Sequence, residues 1–169
     1  MRLSWWLIGY LVGDSTLRPY GLRTSSAHPL IAKRLAKLLE KEWTNRNGRG
    51  RPLHIFKADD PEVVRIVQEI KSSGKLPKLS RQKLREFLAG YLDADGSVAN
   101  NVRSFKAGWI TGSDWKIIKL ILEICDRLGL KTTVTLNYRR DHKIRSKPIF
   151  MIYVRPIDRL PAVKVEGRP

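Results

Sequence analysis

The fold of this chain is decided by the nine residues LAGYLDADG at positions 88–96. A degenerate copy, LIGYLVGDS, stands at positions 7–15, with Leu, Gly, Tyr, Leu and a late Asp at the same offsets. The two late aspartates, Asp14 and Asp95, are separated by 81 positions in a chain of 169 residues. Self-similarity at a fixed period is the signature of a repeated structural unit. The sequence therefore predicts a duplication.

Each copy is predicted to be a mostly apolar helix that carries small residues four positions apart. These are Gly9 and Gly13 in the first copy, and Gly90 and Ala94 in the second. Small residues at this spacing let two helix backbones approach closely, because no side chain holds them apart. We expect the two helices to pack against each other and to bring the late aspartates side by side at their C-terminal ends.

Two carboxylates in that position are unfavourable for stability. The C-terminal end of a helix carries partial negative charge, so an anion there costs roughly 0.3–1 kcal/mol. Carboxylates brought close together also repel, which raises one pKa. A divalent cation bound between them would reverse both effects, and hard oxygen ligands suit Mg²⁺. The alternative is that each Asp ends its helix by turn chemistry with the following Ser or Gly, but two aspartates at matching positions favour a metal site.

These two segments carry a resemblance to a known family. Segment 88–96 resembles the signature of the LAGLIDADG homing endonucleases and differs from it only at Tyr91 and Leu92. Segment 7–15 resembles the looser first copy of the single-chain members, and departs from the pattern at Ile8, Val12 and Ser15.

The resemblance covers essentially the whole chain and implies an α+β fold. In it, two pseudo-symmetric αββαββα repeats form a saddle-shaped DNA-binding β-sheet, with the LAGLIDADG helices packed at the repeat interface. The expected repeats are residues 1–78 and 79–169.

The resemblance also implies an activity, that of a sequence-specific homing endonuclease. Such an enzyme hydrolyses both strands of a long asymmetric DNA site, giving a staggered double-strand break that promotes intron mobility. It uses Mg²⁺ or another divalent cation such as Mn²⁺. The expected metal ligands are Asp14 and Asp95 with the backbone carbonyls of Gly13 and Ala94. Asp93 has no counterpart in the first copy and is expected to be structural.

A basic residue near each cleavage centre, at the end of the last strand of each repeat, is a further implication of the family. By position these residues are Lys57 and Arg155, which would stabilise the charged transition state. The alternative is that each is a surface cation near a helix start. Ser25 and Thr111 are weaker candidates for positioning water.

Composition agrees with nucleic-acid binding. The chain has 33 Lys plus Arg against 16 Asp plus Glu, a net charge of +17 and a pI near 10.4, and a pI above 9 is typical of nucleic-acid-binding domains. The excess is shared by both halves, which favours one broad binding face. Polar and basic side chains on strands and hairpin tips are the candidates for DNA contacts: Arg18, Tyr20, Arg23, Ser25, Asn45, Arg46, Arg49, Arg51, Asn101, Arg103, Lys106, Thr111, Thr133, Thr135, Asn137, Arg139, Arg140, Lys143, Arg145 and Lys147.

Two other functions remain open on this scaffold. One is an intron RNA maturase, which would add intron RNA to double-stranded DNA as a partner. The other is a catalytically silent DNA-binding regulator, which the presence of both late aspartates disfavours. The chain begins directly before the first motif, so we expect a free-standing, intron-encoded protein that acts as a monomer. No apolar stretch is long enough to span a bilayer, and we expect an intracellular protein without membrane contact.

The periodicities predict the remaining elements. They indicate helices over 29–43 and 156–162, a half-buried strand over 132–140 with a polar face, and a loose tail from 163 to the end. Cys125, the only cysteine, is expected in the core. The three histidines are unclustered, and none is expected to bind a metal.

Overall fold

The computed structural model describes residues 3–46, 50–99, 107–138 and 148–166. Its elements follow the order helix, strand, strand, helix, strand, strand, helix, and this order occurs twice. The first half contains α1 (Trp5–Gly13), β1 (Thr16–Arg18), β2 (Gly21–Ser26), α2 (Pro29–Leu35), β3 (Glu40–Arg46), β4 (Pro52–Ala58) and α3 (Pro61–Ser73). The second half contains α4 (Arg81–Asp95), β5 (Gly96–Ala99), β6 (Ala107–Gly112), α5 (Trp115–Leu128), β7 (Lys131–Tyr138), β8 (Pro148–Arg155) and α6 (Val163–Glu166).

Each half forms a four-stranded sheet, and the strand order is the same in both. The first sheet runs β1-β2-β4-β3 and the second β5-β6-β8-β7, with every neighbouring pair antiparallel. The predicted α+β fold of two αββαββα repeats is therefore confirmed.

One face of each sheet is buried beneath the helices, because side chains alternate across a strand. In β2 the residues Leu22, Thr24 and Ser26 are buried, while the residues between them face the other side. In the second sheet Ile110 and Ile152 are buried on the corresponding face. A single apolar core runs through both halves. The opposite sheet faces carry the less buried side chains of these strands.

Helix boundaries follow local chemistry. Ser4 and Ser80 accept hydrogen bonds from backbone N–H groups in the first turns of α1 and α4, as N-cap side chains do. Helices α3 and α5 end at Gly74 and Gly129, both in the left-handed conformation that glycine adopts without strain.

The closest helix packing joins the two halves. Helices α1 and α4 make the most extensive contact between described elements. A Cβ atom added to Gly9 would lie 2.0 Å from the Phe87 carbonyl oxygen, and one added to Gly90 would lie 1.9 Å from that of Trp6. The two contacts are reciprocal, as expected for a twofold relation. The predicted packing on small residues is confirmed.

Several of the element predictions were wrong. The strand predicted over 132–140 forms as β7, but it is not half-buried, because residues 131–137 are all exposed. The helix predicted over 29–43 ends at Leu35, and Glu40–Arg46 is instead a strand paired with β4. The apolar spacing that suggested one long helix continues across a turn, and pairing with β4 determines the outcome.

The C-terminal segment also differs from the prediction. Residues 156–162 are not helical, and the segment predicted as a loose tail contains α6. Val163 and Val165 are buried in the core. The carboxylate of Asp93 accepts hydrogen bonds from the backbone N–H groups of Val163 and Lys164, at 2.7 and 2.8 Å. Long-range contacts thus order a segment whose local composition predicts none.

Candidate functional site

The two motif aspartates converge where α1 and α4 end. A Cβ atom added to Gly13 would lie 2.7 Å from the Cβ of Ala94 and 3.6 Å from Oδ2 of Asp95. Asp14 is the next residue after Gly13 and is the C-cap of α1. The close helix packing therefore brings one carboxylate from each repeat to a common position.

Backbone hydrogen bonds hold Asp14 at this position. The Asp14 N–H donates to the Tyr10 carbonyl oxygen at 2.8 Å. The Asp14 carbonyl oxygen accepts a hydrogen bond from the hydroxyl of the buried Thr24. On the other helix the N–H of Gly96, just after Asp95, donates to the Leu92 carbonyl oxygen.

The carboxylates act on each other electrostatically. Desolvation of its carboxyl group, and then repulsion from Asp14, raises the pKa of Asp95 to about 6. Asp95 is nevertheless exposed over more of its surface than Asp14. Burial also raises the pKa of Asp14, which Lys71 and Lys164 partly offset.

Lys71 and Lys164 are functional candidates that sequence reasoning missed. Lys71, in the last turns of α3, donates from Nζ to the Ser15 carbonyl oxygen at 2.7 Å and to the Ser15 hydroxyl at 3.2 Å. Lys164, in α6, donates from Nζ to the Gly96 carbonyl oxygen at 2.6 Å. Each lysine thus binds the carbonyl oxygen of the residue that follows its own repeat's motif aspartate. Each repeat therefore places one ammonium group beside its motif aspartate.

Asp93 has a structural role. It is buried, and its carboxylate accepts hydrogen bonds from the Trp6 indole N–H at 2.8 Å and from the two backbone N–H groups at the start of α6. Burial raises its pKa, and these hydrogen bonds oppose the rise. The carboxylate therefore ties α1, α4 and α6 together.

The two predicted catalytic cations lie at strand ends. Lys57, near the end of β4, forms an ion pair with Asp59 at 3.0 Å. Asp59, and to a smaller extent Glu40 and Glu42, raise the pKa of the Lys57 ammonium group. Arg155 is exposed at the end of β8, opposite Lys131. Among the described residues, the cations that lower the pKa of the motif aspartates are Lys71 and Lys164. A catalytic role for Lys57 and Arg155 stays a prediction.

The oxygen donors at this position suit a cation that takes some of its ligands from the protein and the rest from a substrate and water. Within the described parts of the chain, no three His, Cys, Asp or Glu side chains are grouped as a metal cluster would require. Two carboxylates with nearby backbone oxygens are what Mg²⁺ uses when substrate phosphates and water supply the remaining ligands. The residues at Asp14 and Asp95 fit such a cation.

The free face of the first sheet carries several predicted DNA contacts. Arg23 and Ser25 lie on it, while Arg18 and Tyr20 are exposed at the β1–β2 turn. Arg23 is already paired: its guanidinium bonds Glu42 at 2.8 and 3.2 Å and lies over the ring of Trp43 at 4.6 Å. Further along this sheet the exposed Asn45 and Arg51 flank the β3–β4 connection, as does the backbone of Arg46.

The free face of the second sheet has a different composition. Thr133, Thr135 and Asn137 are exposed on β7 and lie opposite Tyr153, Met151 and Ile149. Thr111 shares this face, opposite Met151, and the rings of Trp109 and Tyr153 pack together with centroids 5.3 Å apart. The remaining predicted contacts lie outside the described residues: Arg49, Asn101, Arg103, Lys106, Arg139, Arg140, Lys143, Arg145 and Lys147.

Comparison with known proteins agrees with this fold. Residues 82–157 match the family described as LAGLIDADG-like domain, which confirms the resemblance for the second repeat. A search of curated proteins found no match. In the described residues no helix is both long and apolar enough to cross a bilayer.

Solved structures match nearly the whole chain at low sequence identity. A structure of I-DmoI with DNA and Mn is 13% identical with a TM-score of 0.53, covering 95% of this chain and 93% of that one. A variant of the homing endonuclease I-DmoI is 12% identical with a TM-score of 0.56, covering 92% and 85%. The N-terminal LAGLIDADG domain of DUF199/WhiA is 16% identical with a TM-score of 0.63, covering 96% and 80%. At these identities the matches show the fold alone.

Proposed function

We propose that this protein is a divalent-metal-dependent, site-specific DNA endonuclease of the homing type. It would cut both strands of a long asymmetric site and so promote intron mobility. The observation that carries the proposal is the convergence of Asp14 and Asp95, one from each repeat, at the end of the closely packed helix pair. At identities of 12–16% a shared fold does not by itself select a nuclease, so the proposal rests on the two carboxylates.

Phosphodiester hydrolysis needs an activated water, stabilisation of charge on the phosphorane, and help for the leaving oxygen. A divalent cation supplies Lewis-acid stabilisation and lowers the pKa of bound water. Asp14 and Asp95 would hold it, with the carbonyl groups of Gly13 and Ala94 as further oxygen donors. Mg²⁺ or Mn²⁺ is the proposed ion, supported by I-DmoI structures with Mn, with Ca and in the presence of Mg.

Double-stranded DNA is the proposed substrate, bound by the free faces of the two sheets. A two-stranded β-ribbon fits the major groove, where Arg reads guanine and Asn reads adenine. The first face offers Arg23 and Asn45, and the second offers threonines with Asn137. Because the faces differ, the two half-sites would differ in sequence, and one chain would suffice as a monomer.

The test is cleavage of a randomised or host-derived DNA library in Mg²⁺ by the wild type and by Asp14→Asn and Asp95→Asn. We expect each substitution to keep DNA binding and to lower cleavage by about a thousandfold or more, as when a transition-state contact is lost. Asp126→Asn, at an exposed position on α5, is the matched control. Wild-type cleavage by the Asp14 and Asp95 variants would disprove the metal assignment. Binding without any cleavage by the wild type would favour a DNA-binding regulator, and preferential binding of intron RNA would favour the maturase.

A further inference from the structure

The strongest unassigned feature of the molecule is the lysine pair at the nuclease centre. Lys71 and Lys164 come from the last helix of each repeat and lie far from the motifs in sequence. Both are half-buried, and long flexible cations are rarely withdrawn from water without a partner. Burial lowers the pKa of each ammonium group. Asp14 and Asp95 oppose that effect in both lysines, and Asp93 opposes it most strongly in Lys164.

The two lysines make equivalent contacts. The Nζ atom of Lys71 is 2.7 Å from the carbonyl oxygen of Ser15, and that of Lys164 is 2.6 Å from the carbonyl oxygen of Gly96. Ser15 and Gly96 occupy the same place in the two motif copies. Lys164 also donates to the Leu92 carbonyl oxygen at 3.4 Å. Each lysine thus fixes the turn by which the chain leaves the motif helix.

The lysine charges also face the candidate metal site. Each ammonium group acts on both motif aspartates, so two positive charges stand beside the two negative charges that would attract a cation. A third acid, Asp93, also acts on Lys164, but its carboxylate is bound by Trp6 and by the start of α6 and is not a candidate cation ligand. A divalent cation approaching Asp14 and Asp95 is therefore attracted by the carboxylates and repelled by the lysines.

We propose that Lys71 and Lys164 are a matched pair of residues whose positive charges, placed beside the two aspartate-bearing turns, keep the affinity of the DNA-free site for divalent cations low. The inference rests on the proposed function, because it takes Asp14 and Asp95 as the cation ligands. It assigns the lysines no proton transfer and no bond to the reacting atoms.

Binding of Mn²⁺ to the DNA-free full chain, followed by the EPR signal of the unbound ion, tests this role. Lys71→Met and Lys164→Met remove the charge at nearly constant length. Each should tighten Mn²⁺ binding roughly fivefold, because a unit charge close to a divalent ion is removed. Lys71→Arg and Lys164→Arg keep the charge and should bind Mn²⁺ much as the wild type does. A purely structural lysine would give the opposite result, since damage to the site weakens binding.

Lys116→Met is the matched control. Lys116 likewise donates from Nζ to a backbone carbonyl oxygen, that of Ser72 at 2.9 Å, but it is exposed and does not act on the motif aspartates. Its substitution should leave Mn²⁺ affinity unchanged. Circular dichroism checks folding, and Lys→Gln, which keeps an N–H donor without the charge, replaces any Met variant that does not fold.

The outcomes separate this inference from the proposed function. Equal or weaker Mn²⁺ binding by the charge-removing variants, or equal tightening by Lys116→Met, overturns the role of the lysines. Asp14→Asn and Asp95→Asn measured in parallel should abolish Mn²⁺ binding. If they do and the lysine variants show no tightening, only the lysine inference fails. If the aspartate variants bind Mn²⁺ like the wild type, the metal site itself is wrong.

Discussion

The two repeats are alike at their centre and different on their sheets. At the centre, Gly9 and Gly90 make reciprocal backbone contacts, and Lys71 and Lys164 bind equivalent carbonyl oxygens. On the sheets, one free face carries an Arg23–Glu42 ion pair, while the other carries a row of neutral polar residues on β7.

The difference shows which constraints act on each region. Two helices that touch through their backbones accept almost no change on either side, so the centre keeps its twofold character. A sheet face in contact with solvent tolerates substitution, so each repeat can acquire its own surface. A symmetric chemical centre with asymmetric faces is suited to an asymmetric duplex site, since the two scissile strands present the same chemistry but different bases.

The largest effect should come from breaking the helix contact. In Gly90→Ala the new Cβ would meet the Trp6 carbonyl oxygen, a backbone atom that cannot turn aside. We expect a loss of about 3 kcal/mol or more in the free energy of unfolding, measured by urea denaturation. Gly9→Ala should behave alike because the contact is reciprocal. In the control Gly112→Ala the new Cβ meets the end of the Ile118 side chain at 3.2 Å, and we expect only a small loss of stability. An equally small loss in Gly90→Ala would contradict the helix packing.

The next effect concerns the one motif position where the copies differ in charge. Asp93 corresponds to Val12 in the first copy. Asp93→Ala would leave the Trp6 indole N–H and the α6 backbone N–H groups without their acceptor. Because these buried donors would be unsatisfied, the free energy of unfolding should fall by about 2–4 kcal/mol, as measured by thermal unfolding. Asp126→Ala, at an exposed site, should change stability by less than about 0.5 kcal/mol. Similar losses in both variants would remove the case for Asp93 as the tie to α6.

A smaller effect is expected from the repulsion between the repeats. Because the folded-state pKa of Asp95 is raised to about 6 from an ordinary 3.8, the folded protein binds a proton more tightly than the unfolded chain. The protonated Asp95 carboxyl group therefore contributes to the stability of the metal-free protein below pH 4, and this contribution is lost as the pH rises through 6. Asp95→Asn should stabilise the metal-free protein at pH 7 by about 1 kcal/mol, after allowing for solvent exposure. The measurement is the melting temperature in EDTA from pH 4.5 to 7.5. If Asp95→Asn showed the same dependence on pH as the wild type, the result would count against this repulsion.

The smallest effect separates the two sheet faces. Glu42→Gln would release Arg23 from its ion pair and leave its charge for a DNA phosphate. Fluorescence anisotropy on a duplex should then show tighter binding at low salt, with the slope against log[salt] steeper by about 0.9. Thr135→Ala, which removes no charge from the second face, should leave the slope unchanged. Equal slopes in the wild type and in Glu42→Gln would indicate that Arg23 does not contact DNA.

Local sequence patterns were sufficient for the centre but not for what surrounds it. The repeated motif predicted the helix pair, its glycine contacts and the meeting of Asp14 with Asp95. The lysines escaped prediction because Lys71 and Lys164 are 56 and 68 residues from the residues whose carbonyl oxygens they bind. No local pattern reports a contact over that distance.

The errors in secondary structure have the same origin. Apolar spacing over 29–43 fits a helix, yet pairing with β4 makes Glu40–Arg46 a strand. The segment after 162 has too few apolar residues to predict an element, and it is ordered by Asp93 and by burial of Val163 and Val165. In both cases tertiary contacts override a weak local preference.

The central claim is that carboxylates from the two repeats share one site, and an NMR titration of the Asp95 side-chain carboxyl group in metal-free protein tests it most directly. The wild type should titrate near pH 6. In Asp14→Asn the repulsion is gone while the helix packing is retained, so Asp95 should titrate at a clearly lower pH. An Asp95 that titrates at the same pH in both proteins would mean that the two carboxylates do not face each other.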